Sequence, residues 1–425
     1  MHAKPHFKRR FPSVWLIGSA SLLAQGILVH SAVAQGFVED SSATLSTSNI
    51  YFNRDFREGS GQSKREEWAQ GFILNVKSGY TPGLVGFGLD AQAMLGLKLD
   101  SSPDRTGTGL LPTHDDGRAP SEYSKLNLTA KARVSESELL VGSLLPKLPT
   151  LSPNTSRILP QTFEGGMATI NEIDKLTISL GRLTKVKDRN STNAEDITSN
   201  NKNRRFGGSF TADHFDWVGV DYKFMPSLAG SYHLAQLDDI YRQHFIGLTH
   251  QQALGDGTLK SELRVSISDE QGAAQAGNID NQAWQGLFSY GIKGHRFGFN
   301  LQKMRGDNAF PYIDGSNPYL ANFVQINDFA EAGQRSAQVR YDYSFAAQGL
   351  PGLSFMTRYT KGDQAELVAG GRGTDWERNS ELQYVIQSGP LENVGLRWRN
   401  ATYRSSYARD VDENRLIVSY SLPIW

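Results

Sequence analysis

The sequence predicts an all-β fold, a transmembrane antiparallel β-barrel of about 18 strands. Three observations predict it. Apolar and polar residues alternate with period two in stretch after stretch. The connections between those stretches mostly alternate short and long. The chain opens with an export leader and closes on an amphipathic stretch at 415–425.

The leader comes first. Lys4, Lys8, Arg9 and Arg10 form a basic n-region, and an apolar segment follows at about 14–28. Ala32-Val33-Ala34 supplies the small-x-small pattern of a signal-peptidase site, which places cleavage before Gln35. A membrane anchor is the other reading, but the apolar core is short and broken by Ser, Gln and Gly. Residues 1–34 are therefore assigned as signal peptide and 35–425 as the barrel. The leader holds four basic residues and no acid, so 44 basic against 44 acidic becomes 40 against 44. That balance argues against a nucleic-acid binder. The chain has no cysteine, so neither disulfides nor thiolate metals hold it. Mean hydropathy is −0.43. That does not exclude a membrane location, because a barrel strand is apolar on one face only.

Strand-like stretches start near 43, 67, 84, 123, 137, 173, 204, 215, 228, 241, 258, 281, 294, 335, 352, 377, 393 and 413. In the third, Val85, Phe87, Leu89, Ala91, Ala93, Leu95, Leu97 and Leu99 share one face, and Gly86, Gly88, Asp90, Gln92 and Lys98 share the other. Short connections are expected at 80–83, 254–257 and 388–390, and long ones at 100–122, 145–172, 305–334 and 362–376. The polar segment 185–203 falls where a short turn is needed, so either a strand is misplaced there or that turn is long.

The arginines are the candidate functional residues. In 394–403, Val394, Leu396 and Trp398 share the apolar face, and Arg397 and Arg399 lie opposite. By the same parity Arg415 opposes Leu416, Arg340 opposes Val339 and Tyr341, and Arg358 opposes Phe355 and Tyr359. Arg264 opposes Leu263 and Val265, and Lys131 and Arg133 oppose Leu128, Ala130 and Ala132. A charge at mid-bilayer on the lipid face costs about 2–4 kcal/mol, so these groups belong in the lumen. A row of guanidiniums there would guide carboxylates, each binding bidentately and none losing its proton. The competing reading is that they pair with lumen acids and only brace the wall. Asp342 beside Arg340 and Glu262 beside Arg264 fit it.

The residues also resemble a known family. The segments GFVEDSSATL at 36–45, YFNRDF at 51–56, EEWAQGF at 66–72, SRILPQTFEGG at 156–166, FVQINDF at 323–329, GLRWRNATYRS at 395–405 and ENRLIVSYSLP at 413–423 are similar to the OprD family of outer-membrane carboxylate channels of pseudomonads. The resemblance implies an 18-stranded barrel in the outer membrane of a Gram-negative cell. It implies that the third outer loop folds inward as a constriction, with the seventh contributing. The family's basic ladder maps onto Arg397, Arg399, Arg415, Arg157 in the inward loop, and Arg54. Asp328 matches an acidic position in the seventh loop, placed to face a substrate's amino group. Ile326 stands where amino-acid-preferring members tend to carry tyrosine, which leans toward aromatic or cyclic acids such as benzoate. A preference for basic amino acids and small peptides is the alternative. The implied partners are outer-membrane lipid, lipopolysaccharide, the barrel assembly machinery and small carboxylates, with no cofactor.

A barrel hydrolase is the first competing class. It needs a nucleophile beside a base, and no GxSxG is present. An energised transporter needs an N-terminal plug, but strand-like sequence begins within about ten residues of Gln35. A purely structural barrel is the third.

Overall fold

The computed structural model describes residues 36–425; the expected leader and its cleavage site lie outside them. In chain order the strands are β1 (Ser42–Phe56), β2 (Lys64–Lys77), β3 (Gly86–Asp100), β4 (Glu122–Val134), β5 (Ser137–Leu144), β6 (Thr162–Ile173), β7 (Leu176–Lys187), β8 (Ile197–Thr198), β9 (Thr211–Ala212) and β10 (Phe215–Met225). They continue as β11 (Leu228–Leu237), β12 (Tyr241–Leu254), β13 (Gly257–Glu270), β14 (Asp280–Ile292), β15 (His295–Arg305), β16 (Arg335–Ser344), β17 (Leu353–Glu366), β18 (Arg372–Val385), β19 (Gly395–Ser405) and β20 (Val411–Pro423).

Eighteen of these form one antiparallel sheet. Each pairs with its neighbours in sequence, except that β7 pairs with β10. The two-residue strands β8 and β9 pair only with each other. The last strand returns to the first, from Thr44↔Pro423 to Phe56↔Val411. That pairing closes the barrel and leaves no edge, the condition a sheet must meet in lipid.

The period-two pattern sets the two faces of the wall. In β4, Leu126 and Leu128 are 62% and 50% exposed, while Lys125 and Asn127 between them are each 4% exposed. The outward face is apolar because nothing in lipid can satisfy a polar group, and the lumen face can be polar.

Three sequence expectations are corrected. No barrel strand starts near 204. That segment is a single 3-10 turn, Lys202–Arg204, followed by a loop whose Phe206 and Phe210 pack on a buried cluster inside the barrel. The strand missing from the expected set is β6, so the connection placed at 145–172 ends at 161. Its outward face is Gly166, Ala168 and Ile170, too small a set of side chains to stand out as an apolar stripe. The connection expected at 362–376 spans only 367–371, because β17 and β18 run further outward than their polar ends suggest.

The outer loops fill much of the lumen. Loop 2 (101–121) and loop 3 (145–161) bury Leu110, Leu111, Ile158 and Leu159 against Ile50, Phe52 and Ala69 of the wall. Loop 3 continues with Leu148 and Leu151 into a second cluster that includes Ile197 of loop 4 (188–214) and Ile313 of loop 7 (306–334). Loop 7 packs Phe310, Tyr312, Leu320 and Ala330 on Ala283 and Met304. Gly71 makes the close approach of loop 3 possible, since a Cβ there would sit 2.7 Å from the carbonyl oxygen of Ile158.

Candidate functional site

Loop 7 is tied to the wall by two carboxylates of β18. Glu377, wholly buried, accepts from the backbone N–H groups of Gln325 (3.1 Å), Ile326 (3.0 Å) and Asn327 (2.8 Å). Asp375 accepts from Asn327 Nδ2 (2.6 Å), Gln334 Nε2 (2.9 Å) and the Tyr407 hydroxyl (2.6 Å). Charged acceptors on backbone N–H groups are among the stronger hydrogen bonds, so these acids fix the loop rather than face the pore.

Asp328 is corrected in the same sense. It is 1% exposed and takes a bidentate pair from Arg205 of loop 4 at 2.7 and 2.9 Å, with Lys202 at 3.3 Å and the Tyr312 hydroxyl at 2.9 Å. Arg205 also reaches Glu331 at 2.8 Å. Burial alone would raise the Asp328 carboxyl; Arg205 and Lys202 overcome it and hold the group well below the usual carboxylate range. Its oxygens are used, so it is not free to receive a substrate's amino group. It instead locks loop 4 to loop 7.

The strand-borne basic residues expected in the ladder, Arg54, Lys131, Arg133, Arg264, Arg340, Arg358, Arg397, Arg399 and Arg415, take the lumen parity. Arg340 faces Arg358 across β16 and β17, Arg399 faces Arg415 across β19 and β20, and Arg415 faces Phe52 of β1. Together they cross the contiguous wall from β16 to β1. At its end Arg415, Arg157 and Arg54 surround one ring: their guanidinium carbons lie 4.7, 5.0 and 5.5 Å from the centroid of Phe52. Loop 3 thus brings Arg157 to the strand arginines, and Phe52 is the platform that sequence reading missed.

How the charges are compensated decides what this lane can do. Arg340 is paired one-to-one with Asp342 at 2.7 and 2.8 Å, and Lys131 with Asp90 at 2.6 Å. These two fit the bracing role. Three other glutamates are each shared by two cations. Glu413 binds Arg54 (2.5 Å) and Arg415 (2.6 Å). Glu381 lies 3.0 Å from Arg399 and 3.7 Å from Arg397. Glu262 binds Lys260 (2.5 Å) and Arg264, whose guanidinium also lies 4.0 Å from the Tyr319 ring of loop 7. Arg157 and Arg358 have only neutral partners among the described residues: Thr108 O (2.8 Å) and Ser156 Oγ (2.9 Å) for the first, Asn379 Oδ1 (2.7 Å) for the second. The lane is therefore net positive. It also holds an unused donor. Arg399 Nε is close to Glu381 but misaligned with it, and this buried N–H has no acceptor among the described residues.

Arg133 lies apart from the lane. It stacks on Tyr80 at 4.2 Å, beside the turn at 78–85, and the Tyr80 hydroxyl donates to Glu138. Lys131 donates to Ser78 O (2.8 Å) at the same turn. Both belong to the end of the barrel opposite the long loops.

Known proteins share this architecture. The family model described as "outer membrane porin, OprD family" matches residues 35–424. The porin-like protein GalP of Pseudomonas putida is 40% identical over 398 residues, covering 92% of this chain and 94% of that protein. The crystal structure of OccK5 (OpdH) of Pseudomonas aeruginosa is 56% identical with a TM-score of 0.84, covering 92% of this chain and 100% of that one. OpdK of Pseudomonas aeruginosa, solved with vanillate, is 42% identical with a TM-score of 0.87 over the same shares. A match that runs the length of the barrel, at this identity, shows that the chain belongs to the OprD family and is an outer-membrane porin.

Proposed function

We propose that this porin passes small carboxylates inward by passive diffusion along the basic lane, with a leaning to aromatic or cyclic acids such as benzoate. One observation carries the reading: along the lane, single glutamates are shared between two cations, and Arg157 and Arg358 have no acid within ion-pair distance among the described residues. A carboxylate supplies the missing charge. At about 4 Å two unit charges attract by about 4 kcal/mol at intermediate dielectric, before desolvation is subtracted. Several such stations of moderate strength pass cargo better than one tight site, because the last step is release.

The leaning to aromatic acids rests on Ile326 of loop 7, which stands where amino-acid-preferring members tend to carry tyrosine. The relative OpdK, solved with vanillate, an aromatic carboxylate, is in keeping with it. The occupied state of Asp328 weighs against the amino-acid alternative, since the acid expected to meet an amino group is paired with Arg205. The test is uptake into liposomes carrying the purified porin. Benzoate, sugar acids, arginine and neutral amino acids are compared at equal gradients. Benzoate should enter fastest, and faster entry of arginine than of every acid would overturn the reading.

A further inference from the structure

The outward face also carries charge, at its outer end and nowhere in the expected substrate path. The lipid-facing parity of β15 is Phe297, Phe299 and Leu301, and it continues to Lys303 and Arg305. In β16 it runs from Val339 back to Arg335, which faces Lys303 across the sheet. In β17 it runs from Tyr359 to Lys361, and in β18 from Leu382 through Arg378 toward Arg372. All six cations are exposed and cluster where β15–β18 meet loop 7 and the connection 367–371.

Few acids answer them. Asp363 pairs with Arg335 at 2.8 Å, and Glu366 lines the same cleft. Lys303, Arg305, Lys361, Arg372 and Arg378 have no carboxylate within ion-pair distance among the described residues; Arg372 instead takes Gln364 (2.6 Å), and Arg305 lies 5.8 Å from the Trp284 ring. Lys303, Gly333, Arg335, Gln364, Glu366 and Arg372 line a shallow cleft of about 360 Å³. Level with the cations across the sheet stand Trp284 opposite Lys303, Trp376 opposite Lys361 and Tyr359 opposite Arg378, the rings of Tyr359 and Trp376 5.6 Å apart. Aromatic side chains of this kind mark the membrane interface, so the cations stand at headgroup depth.

We propose that this surface binds the phosphorylated headgroup of an outer-leaflet glycolipid, with Lys303, Arg335 and Arg372 holding the phosphate in the cleft and Arg305, Lys361 and Arg378 flanking it. Guanidinium forks match phosphate geometry, and ammonium groups add charge without directional demand. A zwitterionic headgroup would leave the surplus charge unanswered. A small soluble anion would gain nothing from the interfacial aromatic residues beside the cations.

The test uses the full barrel in detergent with three added lipids: bisphosphorylated lipid A, the same lipid A with its phosphates removed, and phosphatidylglycerol. Retention is read by native mass spectrometry. Bisphosphorylated lipid A should be retained best. The triple change Lys303→Gln, Arg335→Gln and Arg372→Gln should weaken that retention by roughly tenfold or more. Single-channel conductance reports that the variant barrel is intact, since none of the three residues faces the lumen. The dephosphorylated lipid, applied to the unaltered protein, tests the same point with no mutation. Equal retention of the phosphorylated and dephosphorylated forms would overturn the proposal. So would equal retention of phosphatidylglycerol, or of bisphosphorylated lipid A by the triple variant.

Discussion

At the residue scale the structure separates arginines that brace from arginines with charge to spare. Parity was enough to point both kinds into the lumen. It could not tell them apart, because compensation depends on register: Glu381 faces Arg399, and Glu413 faces Arg54, only once β18, β19, β20 and β1 are paired. Replacing the shared acid therefore has a definite sign. Glu381→Gln should make the pore more anion-selective, read as a shift of reversal potential toward the chloride value in a KCl gradient; Asp342→Asn frees a single arginine further along the wall. Asp328 shows the opposite limit. It sits in the matching segment FVQINDF, but its partner Arg205 comes from loop 4, which no spacing rule connects to it. Asp328→Asn leaves Arg205 with Glu331 alone. Breaking such a buried pair costs about 3–5 kcal/mol. The expected readout is a noisier open channel as loop 7 loosens, and a trace as quiet as that of the unaltered protein would count against the clamp.

At the scale of elements, strands with large outward side chains were legible and strands with small ones were not. β3 and β4 announce themselves through alternating leucines, whereas β6 turns Gly166 and Ala168 to the lipid and shows no apolar stripe in the sequence. The stretch near 204 has the look of a strand in the sequence, but Phe206 and Phe210 pack on the loop cluster instead. The same physics gives a test of wall polarity. Leu128→Arg places a guanidinium on the lipid face of β4 and should cost about 2–4 kcal/mol in urea unfolding of the refolded barrel if the site is near mid-bilayer. Gly71 tests the loop. Gly71→Ala puts a methyl 2.7 Å from Ile158 O, which pushes loop 3 and the adjacent Arg157 toward the pore axis. Overpacking of this kind costs about 1–3 kcal/mol, so the barrel should still form. Conductance should fall; an unchanged conductance would mean that loop 3 does not set the narrow zone.

For the whole molecule, the closed sheet does the holding and the loops do the selecting. Closure leaves the wall free of edges, so side chains on its inner face need not contribute to a conventional core. That freedom lets β16, β17, β19, β20 and β1 carry a set of lumen cations, with the acids of β18 among them, that a soluble fold of this size would have to neutralise. Loops 2, 3, 4 and 7 then bury apolar clusters inside the barrel and bring Arg157 to the strand arginines beside Phe52. The central claim is that this lane moves carboxylates by its surplus charge, and benzoate flux through a planar bilayer tests it most directly. With Arg397→Ala and Arg399→Ala together, the barrel should keep its open-channel conductance in salt within about twofold while benzoate flux falls by on the order of tenfold, the loss of roughly one charge-assisted contact. Benzoate flux and anion selectivity equal to those of the unaltered porin would contradict the account.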